Sequence, residues 1–181
     1  MKQITISIGL FLIAISIISC ASEASMQKYY IDHQEHKNFR AIDVPASVIS
    51  LKDNASPEAV AAYKSLKKFN ILAFVKDESN TAEFKAEQLK VKAILKDKKY
   101  KELMRIKDKG RNFIVKYEGT EALIDEVYLY ASDKDRGFAL VRVLGDKMKP
   151  EHLSLLLKSI KTFDKESDAL EQLGTLLKGF E

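Results

Sequence analysis

Cys20 is the only cysteine in the 181-residue chain, and it closes the run Ile17-Ile18-Ser19-Cys20. An aliphatic residue three before the thiol, an aliphatic one two before it and a small one directly before it form a lipobox. The chemistry this pattern serves is acylation of the thiol before the peptide bond ahead of it is cut, so no other residue can stand at Cys20. Lys2 supplies a positive start and Ile4 to Ile18 an apolar core of 15 residues. That is short of the roughly 20 residues a membrane-crossing helix needs, and its flanks fit an export signal. Residues 1–19 are predicted to be a signal peptide and Cys20 the first, lipid-bearing residue of the mature chain. At about 0.8 kcal/mol per buried CH₂, two or more acyl chains hold a protein firmly at a bilayer. The expected partner is therefore the membrane itself. The expected location is exported and membrane-anchored, with Ala21 favouring the outer membrane over the inner.

Other chemistry-bearing residues are sparse. Asp32-His33-Gln34-Glu35-His36 is the one dense ligand cluster, and His33 and His36 are the candidates for a shared transition metal. The cluster lies in a polar stretch with no evident scaffold, which reads as solvated linker. His152 follows Pro150-Glu151 and reads as exposed. Glu118, Glu121, Asp125 and Glu126 could do acid–base work or bind Ca²⁺, but a hairpin end explains them as well. Tyr128 and Tyr130 share a strand face with Tyr117 near them, a row suited to stacking on a sugar or to packing beneath a helix. There is no G-x-S-x-G run and no closely spaced glycine set, so no catalytic residue and no cofactor are assigned.

Charge is concentrated. Residues 90 to 116 carry eleven basic and three acidic side chains in a chain whose formal net charge is +4. Lys98, Lys99, Lys101, Lys107 and Lys109 are the candidates for contact with an anionic surface. Export makes nucleic acid an unsuitable partner. Anionic envelope lipid or an envelope protein fits better. The single cysteine leaves no disulfide, and seven glycines and three prolines imply long regular elements.

These residues must be placed by the elements around them. Residues 20–38 read as a lipidated flexible tether and 39–181 as a single α+β domain. Pro45 opens Ala46 to Leu51, read as a short helix. Ser56-Pro57-Glu58 caps a helix to about Lys68. Ile71 to Val75 is a buried strand. Residues 81 to 107 read as two abutting helices bent near 96–98, the second carrying Tyr100, Leu103 and Met104. Alternation over 112–117 and 126–131 predicts two strands, and the run 138–144, apolar on nearly both faces, a third and central one. Leu153, Leu156, Leu157, Ile160 and Phe163 mark a helix opened by Pro150, and a last helix spans Asp164 to Lys178. The predicted fold is α+β: an antiparallel sheet of about four strands with helices packed on one face.

The stretches Lys67 to Leu72, Tyr100 to Ile106, Phe113 to Tyr117, Ile124 to Leu129 and Leu140 to Gly145 together resemble the DUF4252 family, small lipoproteins of Bacteroidota whose domain has no known function. The resemblance covers roughly residues 40 to 160. Lys147 and Lys149 make the part after Gly145 more basic than the family pattern, and the C-terminal helix lies beyond it. The resemblance implies an exported, lipid-anchored α+β domain. It carries over no activity. The family's association with envelope-responsive sigma factors implies a regulatory or stress role. The expected function is a non-catalytic binding, scaffolding or stress-related envelope module. The alternatives are a small anchored hydrolase, with the acidic cluster and His152 as first suspects, or a binder of anionic envelope lipid.

Overall fold

Residues 24–108, 110–151 and 160–163 are described by a computed structural model. Ser25 starts the first element: its hydroxyl accepts from the Lys28 N–H and caps helix α1, Met26–His33. Met26, Tyr29 and Tyr30 fall at i, i+3 and i+4 and are all buried. This part of the expected flexible tether is thus a docked helix, and the folded body begins at least thirteen residues before Phe39. The buried apolar content of α1 is two aromatics and a methionine, with Ile31 exposed on the other side, too little to show as periodicity yet enough to bury one face.

Strand β1 (Phe39–Pro45) ends where Pro45 removes an N–H, which an edge strand tolerates. The helix expected over 46–51 is instead one 3₁₀ turn, Ala46–Val48, followed by β2, Ile49–Leu51. The β-branched Ile49 pairs opposite Phe163 in a small second sheet, and that pairing decides between helix and strand. Helix α2 (Pro57–Ser65) begins as expected, with the Ser56 hydroxyl accepting from the Ala59 N–H at 3.2 Å. It stops before Lys68 because Leu66 already belongs to β3, Leu66–Val75.

Helix α3 runs Thr81–Ile94. The second helix expected after it is a strand: β4, Lys101–Asp108. The chain leaves α3 through an Asx turn in which Asp97 accepts from the Lys99 N–H at 2.9 Å, and then pairs antiparallel with β5, Arg111–Gly119. β6 (Ile124–Asp133) and β7 (Gly137–Met148) complete the expected set of strands, and β7 lies between β3 and β6, as its apolar run predicts. Gly137, at φ +129°, packs so closely on β3 that a Cβ would lie 2.0 Å from the Phe74 carbonyl oxygen. Ile160–Phe163, expected within a helix, is strand β8, paired with β2. The helix expected over 164–178 and the apolar positions 153, 156 and 157 lie outside the described residues.

The expected α+β class with an antiparallel sheet is what the chain adopts, with six strands where about four were expected and with α2 on the opposite face from α1 and α3 rather than all helices on one. The main sheet is antiparallel throughout and has six strands, in the order β1-β3-β7-β6-β5-β4. Two cores flank it. One joins Leu72, Phe74, Ile114, Tyr128, Tyr130, Phe138 and Leu140 to side chains of α1 and α3. The other joins Ile71, Ala73, Tyr117, Val127 and Val143 to α2, the 3₁₀ turn and β2. The period-two alternation of the strands sends successive residues into opposite cores. Tyr117 therefore parts from Tyr128 and Tyr130, and all three are packed as core.

Candidate functional site

The register of the six strands lines up one polar row across the face that α1 and α3 cover. Asp43 of β1 stands opposite Asn70 of β3, Asn70 opposite Arg142 of β7, and Arg142 opposite Tyr128 of β6. Tyr128 stands opposite Lys116 of β5, and Lys116 opposite Glu102 of β4. Asn70, Arg142, Lys116 and Tyr128 are buried, so each needs a partner. Asn70 donates to Asp43. Its carbonyl lies 3.5 Å from Nη1 of Arg142. Arg142 forks onto both oxygens of Glu126, and Gln27 of α1 accepts from its Nη2 at 3.4 Å. The Tyr128 hydroxyl donates to Glu126 at 2.6 Å and also lies 3.2 Å from Glu118. Lys116 Nζ donates to the carbonyls of Leu95 and Tyr100, at 2.5 and 3.0 Å, tying the end of α3 to the sheet.

Burial dominates the protonation of this row. It lifts the Tyr128 phenol far above its ordinary range, and the neighbouring Glu126 carboxylate pushes in the same direction. Burial also pulls the Lys116 ammonium down, with Glu102 opposing. The acidic cluster expected near the β5–β6 turn is divided by these contacts. Glu126 and Glu118 face Arg142 and Tyr128, while Glu121 and Asp125 are exposed. Among the described residues no group of three or more His, Cys, Asp or Glu is placed to hold a metal ion.

A second constellation clasps α1 to the body through its adjacent tyrosines. Tyr29 donates to Glu87 of α3 at 2.8 Å, and Tyr30 donates to Asp43 at 2.8 Å. His33 stacks on Tyr29 with ring centroids 4.1 Å apart. Its Nδ1 lies 2.7 Å from the Tyr29 carbonyl oxygen and its Nε2 lies 3.1 Å from Glu87. His36 sits 6.3 Å from His33, ring to ring, and 3.6 Å from Glu83. The two histidines are thus held by a scaffold, each against a glutamate, which is where the solvated-linker reading of 32–36 parts from the structure.

Burial would raise the Glu87 carboxyl, but hydrogen bonds from Lys90 and Tyr29 and the nearby His33 ring outweigh it and hold the group below its ordinary range. A carboxylate lowered in the folded state stabilises it above the unfolded value of about 4.3, and that stability is lost as pH falls through the lower folded value. The groups facing Glu87 are Tyr29 and His33 from α1 and Lys90 from α3. On acidification below about pH 4, amide exchange in 29–33 is expected to speed up before that of β6 and β7. Glu87→Gln should flatten this early phase. An unchanged acid profile in that variant would show that the clasp does not titrate.

The basic candidates fall on the far edge of the sheet. Lys98 lies in the turn before β4, and Lys99 places its ammonium 5.1 Å from the Tyr100 ring centroid. Lys101 and Lys107 are exposed on β4, with Lys101 Nζ 5.7 Å from the Tyr117 ring centroid. The same strand exposes Leu103, Met104 and Ile106. Cys20, the lipobox residues Ile17, Ile18 and Ser19, Lys109 and His152 lie outside the described residues.

The family described as Domain of unknown function (DUF4252) matches residues 29–156, which takes in Tyr29 and Tyr30 of the α1 clasp, all six strands of the main sheet and the whole polar row. The chain belongs to the DUF4252 family. No curated protein matches it, and no solved structure does. The DUF4252 match begins inside α1, so the family pattern takes in residues 29–38 of the segment expected to be tether and starts well before residue 40.

Three parts of the DUF4252 domain escaped sequence reasoning: the polar row, the α1 clasp and the apolar edge of β4. Arg142 interrupts the otherwise apolar run Phe138 to Leu144, and Asn70 precedes the apolar Ile71 to Val75. A charge or amide inside a buried strand demands a partner, and that demand was the available signal for the row. Who the partners are depends on register, which single strands do not encode.

Proposed function

We propose that the protein is an exported lipoprotein, held at the membrane by acyl chains on Cys20, whose DUF4252 domain is a non-catalytic binding or scaffolding module. The observation that carries this reading is the run Ile17-Ile18-Ser19-Cys20 behind a positively started apolar stretch. Supporting it, the first described helix begins only six residues after Cys20, so a lipid on that sulfur would hold the body close to the bilayer. No helix among the described residues is long and apolar enough to cross a membrane. On this reading the outer membrane is favoured over the inner.

The non-catalytic part of the reading is supported by how four of the buried polar groups are spent. Arg142, Tyr128, Lys116 and Glu87 all face partners that hold strands and helices together. A regulatory or stress-related role fits an anchored domain that works by contact.

The test is mass spectrometry of the N-terminal peptide of protein from its native envelope, paired with fractionation of Cys20→Ser. The expected peptide begins at an acylated Cys20. The variant is expected to lose nearly all mature membrane-bound protein, because the two-chain anchor supplies the affinity. A bare thiol, or residues 1–19 still attached, overturns the reading.

A further inference from the structure

The edge strand β4 combines two features that seldom coincide on a strand facing water. Leu103, Met104 and Ile106 are between 44 and 51 % exposed, half of the large exposed apolar side chains among the described residues. Around them stand Lys98, Lys101, Arg105 and Lys107, all exposed. Glu102 opposes them, but it is taken up by Arg105, whose Nε donates to it at 2.9 Å. Neighbouring Val115 and Phe113, paired with Met104 and Ile106, continue the apolar strip inward as half-buried residues. Edge strands are normally blunted by charge, proline, a bulge or a covering element, and seldom present large apolar side chains to water. Apolar side chains interleaved with cations are the composition of surfaces that sit at the boundary between head groups and acyl chains.

The position of the chain's N-terminal end points to the same occupant. The Met26 N–H donates to the Tyr100 hydroxyl at 3.0 Å, so α1 starts beside the residue that leads into β4. Cys20 lies six residues before Met26, and six residues reach at most about 20 Å. β4 itself spans about 25 Å at about 3.3 Å per residue. A lipid on Cys20 therefore brings the Tyr100 end of β4 within reach of the bilayer. The opposite sheet edge, β1, lies five strand spacings away, or about 24 Å.

We propose that the β4 edge is a membrane-contact surface that seats on anionic phospholipid, Leu103, Met104 and Ile106 entering the head-group boundary while Lys98, Lys101 and Lys107 meet phosphates. This rests on the anchoring reading above and adds an orientation to it. The domain lies with its sheet edge on the bilayer, α1 next to the anchor and β1 pointing away.

The test uses lipidated full-length protein, in which acylation blocks Cys20 and a new thiol can be labelled alone. Met104→Cys on β4 and Arg40→Cys on β1 are labelled with a fluorophore and incorporated into vesicles containing brominated acyl chains. One vesicle set is pure phosphatidylcholine and the other contains phosphatidylglycerol. Quenching at position 104 is expected to exceed that at position 40 by at least about twofold in the anionic vesicles, and to fall towards the control without anionic lipid. Lys101→Glu combined with Lys107→Glu should remove the difference. Ile106→Cys is a second reporter should the label at 104 disturb the strand.

Equal quenching at 104 and 40, or quenching indifferent to phosphatidylglycerol, overturns the proposal. So does crosslinking of position 104 between two copies, or to another envelope protein, without quenching, because the edge is then a protein interface. These failures occur in protein that floats with the vesicles and carries acylated Cys20. Protein that fails to float and shows a bare Cys20 defeats the anchoring reading first and this inference with it.

Discussion

Arg142→Met is expected to lower the free energy of unfolding by about 3 kcal/mol, the cost of leaving a largely buried carboxylate without its cation. The Arg142 and Glu126 side chains are only 11 and 20 % exposed, so water replaces little of the lost pairing. The guanidinium also serves Asn70 and Gln27, so its removal leaves an amide on β3 and one on α1 short of a donor. A urea titration reads the change as a fall in midpoint at constant slope. The paired replacement Arg142→Met with Glu126→Leu should recover most of the loss, because removing both charges together removes the stranded one. A single-variant loss below about 0.5 kcal/mol, the range of an exposed pair, would show that the row does not hold the sheet.

Phe138→Ala is expected to cost about 3–5 kcal/mol, the range for deleting a ring from a packed core. Phe138 has no exposure, and its ring centroid lies 5.6 Å from that of Phe74, 5.8 Å from Tyr130, 6.0 Å from Phe39 and 6.2 Å from Phe84. Phe84 comes from α3, and Met26 and Tyr29 of α1 belong to the same cluster. The cavity should therefore loosen the helices as well as the sheet, visible as faster amide exchange across 26–33 in the variant. Phe138→Leu, which refills most of the volume, should lose clearly less. Leu103→Ala on the exposed β4 edge sets the contrast: it should stay within about 0.5 kcal/mol of the parent. A Phe138→Ala loss no larger than that of Leu103→Ala would contradict the packing described for this face.

The strands β5 and β6 were legible because alternation of apolar and polar residues is written along each of them, β7 because its run is apolar on nearly both faces, and the turns between carry glycine. The start of α2 was legible in the local signal Ser56-Pro57-Glu58, and α3 in the helical spacing of Phe84, Val91 and Ile94. β4 was misread as helix because Lys, Glu, Leu, Met and Arg favour helix intrinsically, and Tyr100, Leu103 and Met104 fit a helical spacing. Pairing with the outer rim of β5 overrides that preference. α1 was misread as tether because an eight-residue helix is marginal alone and exists through its docking on the sheet and α3.

The lipobox at Cys20 stands in contiguous residues, so the chain alone carries that expectation and its chemistry. The order of the strands, the row from Asp43 to Glu102, the clasp of Tyr29 and Tyr30, and the placing of Leu103 and Lys107 on one open edge were decided in three dimensions. Residues 43, 70, 142, 128, 116 and 102 meet only after six strands have chosen partners and register. Patterning along a strand says which face a side chain takes, whereas the strand beside it is chosen by the packing of the whole sheet.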